Sequence, residues 1–183
     1  SKFLDSGPGF GGSCFKKDIL NLVYLCRYYG LNEVADYWEQ VVNINLWQQK
    51  RISRIIIKNL FGNLSDKKIA ILGFSFKSNT NDTRQSPTIS ISKYLFQEGA
   101  KLAFYDPKVS KSQIVTELEQ SENLGTYEIC QTALQACNNS DAVVVLTEWQ
   151  EFKLLDWKII YEVMRKPSWV FDTRGIIEET SLK

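Results

Sequence analysis

Cys14 is the residue of this sequence best suited to covalent chemistry, because a glycine-rich stretch precedes it and charged residues follow it. The charged residues are Lys16, Lys17 and Asp18. The apolar spacing after Cys14 predicts a helix, so the thiol is expected near a helix N-terminus. A thiol beside the positive end of a helix dipole and two cations gains thiolate character, which makes Cys14 a candidate nucleophile.

Simpler interpretations of the same residues remain open on physical grounds alone. Cys14 can equally be a small buried hydrophobe. Asp18 follows Cys14 by one helical turn and can share its face, but an acidic residue in a first turn more often only favours the helix dipole. Lys16 and Lys17 are side chains of a type that is usually solvated.

The stretch before Cys14 formally contains a G-x-G-x-x-G pattern at Gly7, Gly9 and Gly12. A dinucleotide fingerprint must follow a strand, and no strand-like run precedes these glycines. Glycines still let a backbone approach a ligand closely. The stretch therefore predicts a ligand-contacting loop that aims the thiol, and not a Rossmann phosphate loop.

The absence of histidine narrows the chemistry further. Ser-His-Asp and Cys-His catalysis are excluded within this chain, and so are His-ligated zinc sites. Any base must be a carboxylate, a lysine or a water molecule. The four cysteines form no C-x-x-C pair and are too few for a disulfide framework, so we expect reduced thiols in a cytosolic protein and no metal site.

A second group of candidate residues lies in residues 73–86, which follow an apolar run. A Rossmann dinucleotide loop would carry two more glycines here, so NAD is not expected to bind this loop in the usual way. Phe76 offers a stacking surface, and Lys77, Arg84 and Arg174 offer cations near strand ends. Each cation alone is as readily a surface ion pair, but three at one sheet edge favour an anionic ligand.

Two helices are expected to position Cys14. Ile19, Leu22, Val23 and Cys26 form the apolar stripe of the first, which Gly30 ends in a left-handed conformation.

The second helix is predicted to run from Asn32, as its N-cap, to Phe61, with Gly62 after it. Val34 and Trp38 belong to its apolar period, and its length would be about 40 Å. So long a helix usually packs on another long element or on a partner subunit, so we expect a homodimer or a higher homo-oligomer through it.

Strands alternate with helices after residue 66. Strands are predicted at 68–74, 101–105, 142–146 and 169–171, helices at 88–98, 113–119, 131–136 and 157–164, and a polar surface loop at 121–127. The fold class is therefore α/β, with a Rossmann-like, doubly wound parallel sheet domain at 63–183. It is preceded at 1–62 by the cysteine loop and the long-helix dimerisation segment.

Composition excludes several classes of protein. The chain has 183 residues, 44% of them hydrophobic, and a net charge of +1 without a basic run, so neither disorder nor nucleic-acid binding is expected. No apolar stretch reaches the ~20 residues of a membrane span, and the N-terminus has no signal-peptide pattern. The missing initiator Met suggests an excised segment.

The residues from Gly9 to Phe15, with Lys17 and Asp18, resemble the catalytic-cysteine motif of the nucleotide-sugar 6-dehydrogenases, the UDP-glucose/GDP-mannose dehydrogenase family. Similarity extends over nearly the whole chain. It includes Tyr37 to Val41, Arg54 to Ile56, Asn81 to Arg84, Tyr105 to Pro107, Thr147 to Trp149 and Phe171 to Arg174.

The resemblance implies an NAD-dependent four-electron oxidation of UDP-glucose to UDP-glucuronate. Cys14 would form a thiohemiacetal and then a thioester, and Asp18 would help to activate water for thioester hydrolysis. The main NAD domain, and a further catalytic Lys and Asn, would lie upstream of residue 1, so this chain alone is expected to be inactive.

The resemblance also implies which residues bind. Those expected to meet the UDP sugar are Phe10, Gly11, Phe76, Lys77 and Arg174, and those expected to lie against NAD are Arg84 and the backbone from Cys14 to Lys17. Asp5 departs from the pattern, because animal members carry there a Lys that reaches the substrate. A GDP-mannose or UDP-N-acetylhexosamine dehydrogenase is the alternative, and a non-catalytic UDP-sugar-binding module is a different class of answer.

Overall fold

The computed structural model describes residues 6–121 and 125–178, so Asp5 lies outside the described residues. Two helices come first, α1 (Phe15–Tyr28) and α2 (Asn32–Asn59). The φ of Gly30 is 75°, which confirms the predicted left-handed end of α1. With 28 residues, α2 is about 42 Å long.

The predicted N-cap of the long helix is wrong. Leu31 occupies the capping position, Asn32 is already helical, and no side-chain hydrogen bond caps the helix. Gly30 ends α1 so close to α2 that the chain enters the second helix without the extended residue that a side-chain cap requires.

A five-stranded parallel sheet with flanking helices forms the rest of the described chain, which confirms the predicted α/β fold. The strands lie in the order β3-β2-β1-β4-β5. They are β1 (Lys68–Leu72), β2 (Lys101–Tyr105), β3 (Tyr127–Ile129), β4 (Ala142–Val145) and β5 (Trp169–Asp172). The helices are α3 (Pro87–Gln97), α4 (Lys111–Gln120), α5 (Ala133–Cys137), α6 (Gln150–Lys153) and α7 (Trp157–Val163).

Strand order reverses between β1 and β4, and this reversal decides where the functional loops meet. In open parallel sheets, ligands bind outside the carboxyl ends of the strands at such a switch point. The loop that follows β1, residues 73–86, is called the β1 loop below. It meets the residues that follow β4 and β5 at this edge of the sheet.

The sheet separates two apolar cores. One is covered by α3, α4 and the end of α2, and the other by α5, α6 and α7. Ile56 of α2 and Leu60, which follows the helix, belong to the first core, so the long helix is anchored in the α/β domain at its C-terminal end. Within the described ranges, no helix is both long and apolar enough to cross a membrane.

Three details differ from the sequence-based expectations. β3 begins at Tyr127, inside the predicted surface loop, and the short helix α6 was not predicted. Leu22, Val34 and Trp38 are exposed instead of buried. β3 has only three residues on a half-exposed edge, which is too short to show a period.

Candidate functional site

The cysteine loop, residues 7–14, lies between α2 and the β1 loop. The side-chain oxygen of Asn45 accepts the N–H of Phe10 at 2.8 Å, and its amide donates to the Phe10 carbonyl at 3.0 Å. Gln48 donates to the carbonyl of Gly7 at 3.0 Å. The long helix therefore holds the loop through side-chain amides one turn apart.

Sequence reasoning missed these anchors, although a signal was present. The buried face in the middle of α2 is polar, with Asn45, Gln49 and Ser53 spaced four residues apart. This spacing places the three side chains on one helical face. A row of polar residues on an otherwise amphipathic helix indicates a buried polar partner, which for Asn45 is the backbone of the cysteine loop.

The cysteine loop contacts the β1 loop directly. The N–H of Gly12 donates to the carbonyl of Arg84 at 2.8 Å. A Cβ at Gly11 would lie 2.5 Å from the carbonyl oxygen of Gln85, and one at Gly12 would lie 3.0 Å from the Phe76 ring. No other residue type fits this close approach without displacing one of the two loops.

Cys14 is exposed and stands immediately before α1. Its carbonyl accepts the N–H of Asp18 at 2.8 Å, which places the two residues one turn apart. The Oγ of Ser13 lies 3.6 Å from the Cys14 sulfur. Cys14 is therefore not the buried small hydrophobe that the sequence also allowed, and its role as a nucleophile stays a prediction.

The charged residues near Cys14 are placed differently from one another. Lys16 donates to the side chain of Gln85 at 3.2 Å and so ties α1 to the β1 loop. Lys17 and Asp18 are exposed on the first turn of α1. Asp18 is thus available to solvent one helical turn from Cys14.

Arg84 is exposed and paired with Asp82 in the same loop. Its Nε and Nη2 donate to the two carboxylate oxygens at 2.9 Å and 2.7 Å. The Asp82 hydrogen bond is the main cause that raises the pKa of Arg84, and proximity to Cys14 adds a smaller effect in the same direction. Arg84 therefore stays charged beside the thiol.

Phe76 is half-buried at the centre of the site, with Lys77 over its ring. The Nζ of Lys77 lies 5.3 Å from the ring centroid, within cation–π range. The N–H of Phe76 donates to the carbonyl of Asp82 at 3.1 Å and closes the β1 loop. An aromatic face and an exposed cation are therefore offered together at the switch point.

Arg174 follows β5 and is largely buried. It donates to the carbonyls of Leu146 and Phe76 at 2.9 Å and 3.3 Å, and its Nε lies 3.2 Å from Glu148. Burial lowers the pKa of Arg174, and Glu148 opposes this effect. Its guanidinium also abuts the cysteine loop, because a Cβ at Gly7 would lie 3.0 Å from Nη1.

The three predicted cations are therefore not equivalent. Lys77 is exposed over an aromatic ring, Arg84 is paired with Asp82, and Arg174 is paired with Glu148. Glu148 also accepts the N–H of Ser78 at 3.1 Å. The structure brings Arg174 to the Phe76 loop as predicted, but its charge already has a partner that sequence reasoning did not assign.

A cavity of about 290 Å³ opens on the other side of Phe10 and Gly11. Its lining includes Lys16, Gln85 and Glu117 from three different elements. Phe76, Lys77 and Arg174 do not line this cavity. The aromatic ring and the cations of the predicted site therefore lie at the switch point and outside this cavity. Within the described part of the chain, no cluster of three or more His, Cys, Asp or Glu side chains is arranged to hold a metal ion.

Two family models match this chain. Residues 70–179 match the UDP binding domain model of the UDP-glucose/GDP-mannose dehydrogenase family, and residues 1–47 match the central domain model of the same family. The chain therefore belongs to the UDP-glucose/GDP-mannose dehydrogenase family.

The relatives carry more specific names. The chain is 49% identical to the UDP-glucose 6-dehydrogenase of Gallus gallus, over 98% of this chain and 37% of that protein. It is 47% identical to the Drosophila melanogaster protein of the same name, over 100% of this chain and 40% of that protein. The chain thus spans well under half the length of these curated relatives.

A solved structure shares the fold. The UDP-glucose dehydrogenase of Pyrobaculum islandicum superposes with a TM-score of 0.74 at 25% identity, over 93% of this chain and 35% of that one.

Proposed function

We propose that this chain carries the catalytic cysteine and the nucleotide-sugar surface of an NAD-dependent enzyme that oxidises UDP-glucose to UDP-glucuronate. One observation carries the proposal. The Gly12 N–H binds the carbonyl of Arg84 while Gly11 and Gly12 pack against the β1 loop, so an exposed thiol and an aromatic, cationic surface share one edge of the sheet. The names of the relatives supply the substrate.

Cys14 acts as the nucleophile in this proposal. The C6 alcohol of the sugar is first oxidised to an aldehyde, which the Cys14 thiolate attacks to form a thiohemiacetal. A second oxidation gives a thioester. Water then cleaves the thioester, releases the carboxylate and returns the thiol, with Asp18 helping to take the proton of the attacking water.

Binding of UDP-glucose is assigned to Phe10, Gly11, Phe76, Lys77 and Arg174. Phe76 offers its ring to the base, and Lys77 offers an exposed cation to the diphosphate. Arg174 acts partly by positioning the β1 loop, because its guanidinium already donates to the carbonyls of Leu146 and Phe76.

NAD supplies a hydride acceptor for each of the two oxidations. The residues present fit only one side of that cofactor. Arg84 is an exposed cation beside Cys14, and the backbone from Cys14 to Lys17 forms a helix N-terminus. The β1 loop lacks the glycines of a pyrophosphate loop, so we assign the main NAD contacts to residues outside this chain.

Assembly as a homodimer or a higher homo-oligomer through α2 is part of the proposal. Val34, Trp38 and Trp47 are exposed along this helix, although they are large and apolar. Large apolar side chains that stay exposed along a helix favour a partner surface. The four free thiols, all within the described ranges, support a cytosolic location.

Turnover by the complete protein tests the proposal. NADH formation is measured with NAD and a panel of UDP-glucose, GDP-mannose and UDP-N-acetylhexosamines. We expect two NADH per UDP-glucose and acid as the product. Preference for GDP-mannose or a UDP-N-acetylhexosamine would change the substrate that we assign. Failure to reduce NAD with any of these sugars would support a non-catalytic binding module instead.

A further inference from the structure

We infer that Asp106 is the residue that positions the start of the β1 loop for nucleotide binding, an inference that rests on the function proposed above. Asp106 directly follows β2 and is only 7% exposed. It therefore lies at the same edge of the sheet as Phe76 without reaching the surface that a ligand would contact.

The Asp106 carboxylate accepts hydrogen bonds from five N–H groups. Its Oδ2 accepts the backbone N–H groups of Phe74 and Ser75 at 2.7 Å and 3.0 Å, and the indole N–H of Trp149 at 3.1 Å. Its Oδ1 accepts the backbone N–H groups of Lys108 and Val109 at 2.8 Å and 3.0 Å. One side chain thus joins the loops that follow β1, β2 and β4.

These bonds fix the backbone immediately before Phe76. The Phe74 and Ser75 N–H groups point to Asp106 on one side, and the Ser75 carbonyl accepts the hydroxyl of Thr147 at 2.7 Å on the other. Phe76 and Lys77 follow directly, so their direction depends on this anchored pair.

Only a carboxylate satisfies all five donors, because each of its oxygens is an acceptor and neither carries a hydrogen. In Asp106→Asn, one carboxylate oxygen becomes an amide NH2 group, a donor that faces other N–H donors. The variant keeps the size of the side chain and leaves either the β1 loop or the residues after β2 without an acceptor.

Asp141 provides a matched control at the other end of the strands, where β4 begins. It is also 7% exposed, and its carboxylate accepts the N–H of Lys68 at 2.8 Å. Lys67 and Arg165 each lie 3.6 Å from it. Asp141→Asn therefore disturbs a buried carboxylate next to β1 and β4 at the amino end of the strands, away from the β1 loop.

The experiment compares both variants with the unaltered chain. Amide hydrogen exchange is followed at residues 74–78, thermal unfolding reports overall stability, and UDP is titrated calorimetrically well below the unfolding temperatures. We expect Asp106→Asn to speed exchange at 74–78 and to weaken UDP binding, each by about tenfold, while Asp141→Asn changes neither by more than about twofold.

Equal effects of the two variants would show that Asp106 acts only on stability and would overturn the inference. If Asp106→Asn does not fold, Trp149→Phe decides, because it removes a single donor to the same oxygen. UDP affinity about threefold lower is then expected, and unchanged affinity would contradict the inference. An unaltered chain that does not bind UDP would overturn the proposed function itself, whereas binding with equal variant effects would overturn only the role of Asp106.

Discussion

The two loops that meet at the site are held by different parts of the fold. The cysteine loop takes its position from side-chain amides of α2, mainly Asn45 and Gln48. The β1 loop takes its position from the sheet itself, through Asp106 and Thr147. The proposed nucleotide surface thus belongs to the α/β domain, while the position of the thiol depends on a long helix.

The elements beneath the two loops differ in how well they are covered. Residues 69–72 of β1 and all of β4 are buried, as in a parallel sheet covered on both faces. The first two helices and the turn between them expose many large side chains instead. These include Tyr24, Tyr28, Tyr29, Tyr37, Trp38, Ile44 and Trp47. Exposed apolar side chains of this kind favour a partner surface on the helices. Our proposal that chemistry, unlike binding, needs residues outside the described fold therefore predicts that the two can be separated.

Removing the Cys14 thiol should separate chemistry from binding most completely. In the complete protein, Cys14→Ala should lower acid formation by about 10³-fold or more and leave UDP affinity unchanged, because the second oxidation needs a covalently held aldehyde. Asp18→Asn should let an acyl-enzyme accumulate, detected by mass spectrometry. Cys26→Ala, on the buried face of α1, is the control. Near wild-type acid formation by Cys14→Ala would refute the nucleophile assignment.

Substitutions of the cations at the switch point should instead weaken the binding of UDP. Lys77→Ala removes an exposed cation and should lower the binding free energy of UDP by about 1.5–3 kcal/mol in calorimetry. Arg174→Ala should lower it by more, because Glu148 then loses its cationic partner and leaves a negative charge beside the ligand surface. Lys101→Ala, at the amino edge of the sheet, is the control. Unchanged affinity in both site variants would place the ligand elsewhere.

The dependence of the cysteine loop on α2 can be measured separately. Asn45→Ala removes both bonds to Phe10 and should lower the free energy of unfolding by about 1–3 kcal/mol. Gln48→Ala removes one part-buried bond and should cost about 1 kcal/mol. Urea denaturation gives both values. A larger effect at Gln48 than at Asn45 would mean that Asn45 does not hold the loop.

The smallest expected effect is on a titration within the β1 loop. The hydrogen bond from Arg84 lowers the pKa of Asp82, and partial burial opposes it. The pair is therefore intact above the usual pKa range of Asp and is lost as the pH falls through the lowered value. In Arg84→Ala, NMR titration should show the Asp82 midpoint moving upward. The midpoint of Asp66, whose pKa is lowered by Lys101, should stay unchanged. If the Asp82 midpoint does not move in Arg84→Ala, Arg84 and Asp82 are not paired in solution.

The sequence predicts those parts of this structure that follow a local period. β1, β2, β4 and β5 are short apolar runs between turn residues, and each was predicted within two residues of its observed ends. β3 was missed because three half-exposed residues carry no period. The exposure of Val34 and Trp38 was missed because a helical period does not indicate which face is covered within one chain.

The candidate site was predictable in its residue types and not in its pairings. Cys14, Phe76 and Lys77 were identified because each has a chemical property that is visible in the sequence. The pairing of Arg174 with Glu148 was not, because it depends on the lateral order of β4 and β5. Asp106 was hidden in the same way, since its donors come from three separate loops.

Titration of UDP and NAD into the 183-residue chain tests the proposed division most directly. The β1 loop has a strand and one glycine, and the cysteine loop has glycines without a strand, so neither meets the needs of dinucleotide binding. We predict measurable UDP binding, far weaker NAD binding and no steady NADH formation from UDP-glucose. NAD binding tighter than UDP binding, or steady NADH formation by this chain alone, would contradict the account.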